Sequence, residues 1–170
     1  MGLESRFFWG LRMEISKVTM IAEKHKKDIP IIIAEDDEDD YMLTLEALSE
    51  AGITSRVTWV KDGEELMEYL SDCDLDKNSS TGKPKPGLIL LDLNMPKKDG
   101  REALQEIKGN AGLRKIPVVV LSTSKSGSDI DHSYELGVNS FIQKPVRFNE
   151  FVEMVSVLSK YWFSTVQLPE

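Results

Sequence analysis

Three short, unbroken apolar runs set the frame for this chain: Ile31-Ile32-Ile33-Ala34, Leu88-Ile89-Leu90-Leu91 and Pro117-Val118-Val119-Val120-Leu121. A half-wet strand alternates apolar with polar residues; a continuous run is what a strand buried on both faces requires. Arg56-Val57-Thr58-Trp59-Val60 and the segment Val138 to Gln143 read as two further strands. Between the strands the apolar period changes to that of a helix. Tyr41, Leu45 and Leu48 lead to Gly52, Leu66, Met67 and Leu70 follow the Asp62-Gly63 turn, and helices are expected over Gly100–Lys108, Ile130–Leu136 and Phe148–Phe163. Phe151, Val155 and Leu158 share one side of the last of these. Residues 72–87, rich in Ser, Lys and Pro, read as a long loop. Strands alternating with helices long enough for crossovers predict an α/β fold, a doubly wound parallel sheet with helices on both faces.

Charge and cysteine content narrow the function classes. Among 170 residues, 29 acids stand against 21 Lys and Arg, for a net charge of -8. Such a chain is a poor match for a phosphate backbone, so no nucleic-acid partner is expected. Cys73 is the single cysteine, which rules out an internal disulfide and fits a reducing cytoplasm. No apolar run reaches the length of a membrane span. The opening Met1 to Gly10 is too short in its apolar part for a signal peptide, and Arg6 stands where a myristoylation signal needs Ser or Thr.

Residues 1–28 read as an extension to a domain over residues 29–170. Phe8, Leu11, Ile15, Val18 and Ala22 form a helical stripe, followed by the charged hinge of residues 23–28. The extension is read either as a mobile arm or as an amphipathic helix that docks on the domain or a partner.

In a doubly wound sheet the ligand crevice lies at the carboxyl ends of the strands. Here those ends carry Glu35-Asp36, Asp92-Leu93-Asn94, Ser122-Thr123-Ser124 and Lys144-Pro145. One pocket would therefore gather three carboxylates, a hydroxyl and an ammonium. Two bare carboxylates 4 Å apart repel by roughly 4 kcal/mol at an effective dielectric near 20. A hard divalent ion with oxygen ligands relieves this, and Mg²⁺ suits a few carboxylates, a carbonyl and waters. Glu35 and Asp36 abut the strand and are assigned to the metal, whereas Asp37 to Asp40 are read mainly as acids capping a helix N-terminus. A dinucleotide binder would need G-x-G-x-x-G after the first strand, and acids stand there instead. A carboxylate such as Asp92 beside Mg²⁺ can attack phosphorus to give an aspartyl phosphate. Lys144 and the Ser122 hydroxyl are placed to meet the phosphoryl oxygens.

Taken together, these residues resemble the receiver domain of two-component response regulators, over about residues 29–160. By that resemblance Glu35 and Asp36 match the acidic pair, Asp92 the phosphoacceptor, Ser122 the Thr/Ser switch, Phe141 the switch aromatic and Lys144 the lysine before proline. The intervals from Asp92 to Ser122 and to Lys144 also fit. The resemblance implies a flavodoxin-like strand order 2-1-3-4-5. It also implies Mg²⁺ held by Asp36, Asp92 and the Asn94 backbone carbonyl, with Glu35 acting through water. Loop 72–87 is longer than usual for the family, and Thr123 stands where many members have Ala. The segments Asp92 to Glu102, Ile116 to Ser122 and Phe163 to Pro169 are similar to stand-alone regulators paired with bacterial and cyanobacterial phytochrome kinases. This implies a sensor histidine kinase as partner.

The expected function is a phosphorelay module rather than a turnover enzyme. Phosphorylation of Asp92 would draw in Ser122, open space for Phe141 and remodel the surface of the fourth helix, fifth strand and fifth helix. No output domain follows in this sequence, so a protein contact or a phosphorelay step is expected. Tyr161-Trp162-Phe163 are read either as a homodimer surface or as packing against the chain's own sheet. Two rivals stand beside this reading. A haloacid-dehalogenase-type phosphatase would want an Asp where Asn94 stands and an acid pair downstream of Lys144. A degenerate receiver would bind partners without accepting phosphate.

Overall fold

The computed structural model describes residues 29–53, 56–73 and 82–169. The helical stripe of residues 8–22 and the tip of the long loop lie outside the described residues. Five strands, β1 (Ile31–Ala34), β2 (Val57–Val60), β3 (Leu88–Leu91), β4 (Val118–Ser122) and β5 (Ser140–Gln143), alternate with five α-helices. These are α1 (Glu38–Glu50), α2 (Gly63–Ser71), α3 (Gly100–Gly109), α4 (Gly127–Glu135) and α5 (Phe148–Lys160). All pairings are parallel, in the order β2-β1-β3-β4-β5. The expected flavodoxin-like order is therefore present. Among the described residues no helix is long and apolar enough to cross a membrane.

The period-2 geometry of a strand splits the apolar runs between two cores. Ile32, Ala34, Ile89, Leu91, Val118 and Val120 face one way, against Leu66 and Leu70 of α2 and Leu104 and Ile107 of α3. Ile31, Ile33, Leu88, Leu90, Val119 and Leu121 face the other, against Ala47 and Leu48 of α1 and Phe151, Val155 and Leu158 of α5. The three central strands, with helices on both sides, are buried throughout; β5 at the edge is only half-buried. Unbroken apolar sequence and central position in the sheet thus have one cause.

Four boundaries differ from expectation, two of them for a hydrogen-bonding reason. Ser122 is the last residue of β4 rather than the first beyond it, because it pairs with Gln143. β5 starts at Ser140 and not at Val138. The Val138 N–H instead closes the end of α4 on the Ser133 carbonyl, and the Asn139 side chain accepts from the Val118 N–H at 2.9 Å. α4 begins three residues early, at Gly127. α5 gives way after Lys160 to a π-helical turn, Tyr161–Thr165. That turn buries Trp162 and Phe163 in the α1/α5 core, as the packing reading expected, and leaves Tyr161 50% exposed.

The start of α3 is pressed against the end of β3. Asp99 caps the helix with a capping box to Glu102, and the Gly100 N–H donates to the Leu93 carbonyl at 2.9 Å. A Cβ on Gly100 would overlap the Asp92 carbonyl oxygen and lie 2.7 Å from Leu93 Cα. Only glycine fits there without moving the backbone that carries Asp92. We expect Gly100→Ala to cost about 1–3 kcal/mol, as overpacking against rigid backbone does. Gly109, with nothing within 4 Å of its built Cβ, is the control. Thermal melts should show Gly109→Ala close to wild type and Gly100→Ala well below it; equal melting of the two would contradict the close approach.

Candidate phosphoacceptor site

Three strand ends deliver the charged groups to one place. Glu35 follows β1 directly; its N–H donates to the Val60 carbonyl at 3.0 Å and its carbonyl accepts from Trp59 Nε1 at 2.8 Å. The Trp59 indole is in turn stacked on Tyr41 of α1, with ring centroids 4.3 Å apart. Glu35 is therefore held from both sides and its side chain is buried. The Asp92 N–H donates to the Ala34 carbonyl at 2.9 Å, which ties the end of β3 to the end of β1. The Lys144 N–H donates to the Ser122 carbonyl at 2.8 Å, which carries the β4–β5 ladder one step past the strand.

The side chains then converge. Lys144 Nζ lies 2.6 Å from Glu35 Oε2, 2.7 Å from Asp40 Oδ2 and 3.5 Å from Asp92 Oδ2. One carboxylate oxygen from each of Glu35, Asp36 and Asp92 falls within 4.8 Å of the others. Asp92 is 8% exposed and Asp36 is open to solvent. The Asn94 N–H points at Asp92 Oδ1 from 3.3 Å, and the Asn94 side chain is exposed. Ser122 is fully buried, and its Oγ accepts from the Ser124 N–H at 3.1 Å. Phe141 is half-buried, opposite Val120 in the ladder, so it shares a sheet face with Ser122 two residues on.

Glu35, Asp36, Asp92 and Lys144 thus meet in one cup, with the Asn94 N–H on Asp92 and the Ser122 carbonyl bonded to the Lys144 N–H. One assignment needs correction. Asp37 does cap α1, accepting from the Asp40 N–H at 3.0 Å, but Asp40 itself reaches back to Lys144. Asp40 lies in the first turn of α1, where a side chain can turn back over the end of β1 toward Lys144. Lys144 is the hub of three ion pairs, a role for which its neighbour Pro145 gives no hint.

One ammonium faces four carboxyls, and burial sharpens the imbalance. Loss of solvent pushes the Glu35 carboxyl up, Lys144 pulls it down and the nearby Asp92 and Asp40 push it up again, for a net rise from 4.5 to about 7. Burial alone would lower Lys144, but the carboxylates of Glu35, Asp40 and Asp92 outweigh it and hold the ammonium charged. A carboxyl raised on folding makes the folded state the better proton binder. Its stabilising contribution is fully present below its ordinary value of 4.5 and is lost as the pH rises through about 7. In EDTA, the melting temperature should therefore fall between pH 5 and pH 8, and Glu35→Gln should flatten that slope. An undiminished slope in the variant would move the effect to another group. The donor set, carboxylate oxygens with no nitrogen or sulfur among them, is that of a hard cation such as Mg²⁺.

The sequence profile of the response regulator receiver domain matches residues 31–156. The chain belongs to that family. Response regulator Rcp1 of Synechocystis sp. is 42% identical over 139 residues, 82% of this chain and 92% of that protein. Among solved structures, the phosphorylated cyanobacterial phytochrome response regulator RcpA is 43% identical with a TM-score of 0.75. It is covered over 99% of its length by 84% of this chain. The Mn²⁺-bound form of Rcp1 is 42% identical with a TM-score of 0.74, over the same shares of the two chains. These neighbours share the fold of this receiver, and with the family assigned, the phosphatase alternative falls away.

Proposed function

We propose that residues 29–170 form a receiver domain that accepts a phosphoryl group on Asp92 from a sensor histidine kinase, with residues 1–28 as an appended extension. The observation that carries this reading is the meeting of Asp92, Lys144, Glu35 and Asp36 from three separate strand ends. In the transfer, a carboxylate oxygen of Asp92 bonds to phosphorus while the bond from phosphorus to the imidazole nitrogen breaks, its electron pair remaining with the imidazole. Lys144, 3.5 Å from Asp92, stands ready to pair with a phosphoryl oxygen. The Ser122 Oγ accepts a hydrogen bond from the Ser124 backbone, which leaves its own proton free to be donated to the phosphoryl group. Glu35, Asp36, Asp92 and the Asn94 carbonyl would hold Mg²⁺, which when bound neutralises carboxylate and phosphoryl charge.

The similarity to Rcp1 and RcpA supports a phytochrome-type kinase as the donor. It also supports a cytoplasmic phosphorelay step with output through protein contacts. Ser122 and Phe141 are the switch pair of this reading: they lie on one face of adjacent strands, so space vacated by Ser122 opens toward the Phe141 ring. In this reading the chain itself catalyses uptake of the phosphoryl group from the donor and its later hydrolysis, as a signalling step rather than enzymatic turnover. Incubation with acetyl phosphate and Mg²⁺ tests the reading, including against the degenerate-receiver alternative. One acid-labile phosphoryl group per chain is the expected result; no labelling would overturn it.

A further inference from the structure

A second cation follows the glycine that packs on Asp92, and its partners lead back to Ser122. Arg101 is the second residue of α3, directly after Gly100, whose backbone packs against Asp92 and Leu93. Its guanidinium forks onto Asp129 of α4, with Nε at 3.1 Å from Oδ1 and Nη2 at 2.9 Å from Oδ2. The same Oδ2 accepts from the Ser124 hydroxyl at 2.6 Å, and the Ser124 N–H donates to Ser122 Oγ at 3.1 Å. Arg101 and Asp129 are 28% and 21% exposed, so both retain some access to solvent and room to move. Lys144 reaches Asp92 from the end of β5; Arg101 starts α3 next to Gly100, whose backbone lies against the Asp92 carbonyl.

We propose that Arg101 is a second phosphoryl-binding cation of the Asp92 site, kept off Asp92 in the unphosphorylated protein by Asp129. The proposal rests on the function proposed above. Its physical basis is a competition for one guanidinium between the phosphoryl group and the carboxylates that hold it at rest, chiefly Asp129, with Asp99 farther off at 3.7 Å from Nη1. With Asp92 bare, Asp129 offers a two-point carboxylate that the planar fork matches. A phosphoryl group on Asp92 carries close to two charges and three acceptor oxygens, and so outbids a single carboxylate for the same fork. Arg101 also lies in the field of Asp92, which adds to the holding of its charge by Asp129. Transfer of the guanidinium would leave Asp129 held by Ser124 alone. The same event would then loosen α4 from α3, next to the Ser122 switch. Asp129 is a positioning residue, holding Arg101 and accepting from Ser124 Oγ; Arg101 touches the phosphoryl group.

The competition predicts effects of opposite sign, which a merely structural ion pair does not. The measurement is the rate of Asp92 labelling by acetyl phosphate in Mg²⁺, well below the melting temperature of each chain. There Asp92 displaces acetate, which leaves with the electron pair of the broken phosphorus–oxygen bond. Asp129→Asn should label about 5-fold faster and Arg101→Gln about 10-fold slower, couplings of ordinary size between linked sites. The double variant should label like Arg101→Gln, because Asp129 has nothing to restrain once Arg101 is gone. Arg101→Lys keeps the charge and should recover most of the rate. Should Asp129→Asn fail to fold, the Gln and Lys variants of Arg101 decide alone. Wild-type labelling with Arg101→Gln at the wild-type rate, or both single variants shifting in the same direction, overturns this proposal and leaves the phosphoacceptor reading intact. No labelling of wild type overturns both.

Discussion

An Asp92→Asn chain should take up no phosphoryl group from acetyl phosphate at any Mg²⁺ concentration, while wild type takes up one. The amide is nearly isosteric with the carboxyl, so the cup should keep its shape. What it lacks is the anionic oxygen that attacks phosphorus. The neighbouring acids are poor substitutes: Glu35 is buried and paired with Lys144 at 2.6 Å, and Asp40 is held by the same ammonium at 2.7 Å. Asp36 is open to solvent and has no cation among these contacts to orient it. Removing one of the crowded charges should also leave the metal-free variant melting no lower than wild type, so loss of labelling is not loss of fold. Intact-mass measurement with and without acid treatment reads both chains. Undiminished labelling of Asp92→Asn would remove the central residue of the site.

The second large effect is expected at Lys144. Replacing it by Met keeps an unbranched apolar stem one atom shorter but leaves Glu35 buried without its cation, beside Asp92 and Asp40. Breaking a buried ion pair from one side costs about 3–5 kcal/mol. For a chain of this size that is a fall of roughly 6–20 °C in melting temperature. Glu35 can escape part of the cost by taking up a proton, so the loss should be smaller at pH 6 than at pH 8. A divalent ion should recover part of it, because binding only the folded state raises stability. Melts of Lys144→Met in EDTA and in Mg²⁺ at the two pH values check all three points. A fall under about 2 °C in EDTA at pH 8 would mean that the ammonium is not the counter-charge of this cup.

The legible part of this protein was its sheet and the identity of the groups at the strand ends. Ile31–Ala34, Leu88–Leu91 and Val118–Leu121 announce burial on both faces because solvent never reaches either side of a central strand. Asp92, Ser122 and Lys144 stand where those runs and the run of β5 stop, so a sheet with all strands parallel must bring them to one edge. Ends of elements were less legible. The true start of β5 depends on the Val138 N–H bonding to Ser133 and on Asn139 bridging to Val118, bonds between segments that chain periodicity does not register.

Residue types and their order along the chain were thus enough to determine the architecture and the chemical kinds meeting in the cup, since both follow from which stretches exclude water. Pairing was decided only in three dimensions. That Asp40 leaves the capping run for Lys144, that Gly100 lies against Asp92, and that Arg101 grips Asp129 beside Ser124 each depend on ångström-scale distances between helices and loops. Such distances are set by how packed layers settle against one another, and charged side chains near a low-dielectric pocket then choose the partner that is closest.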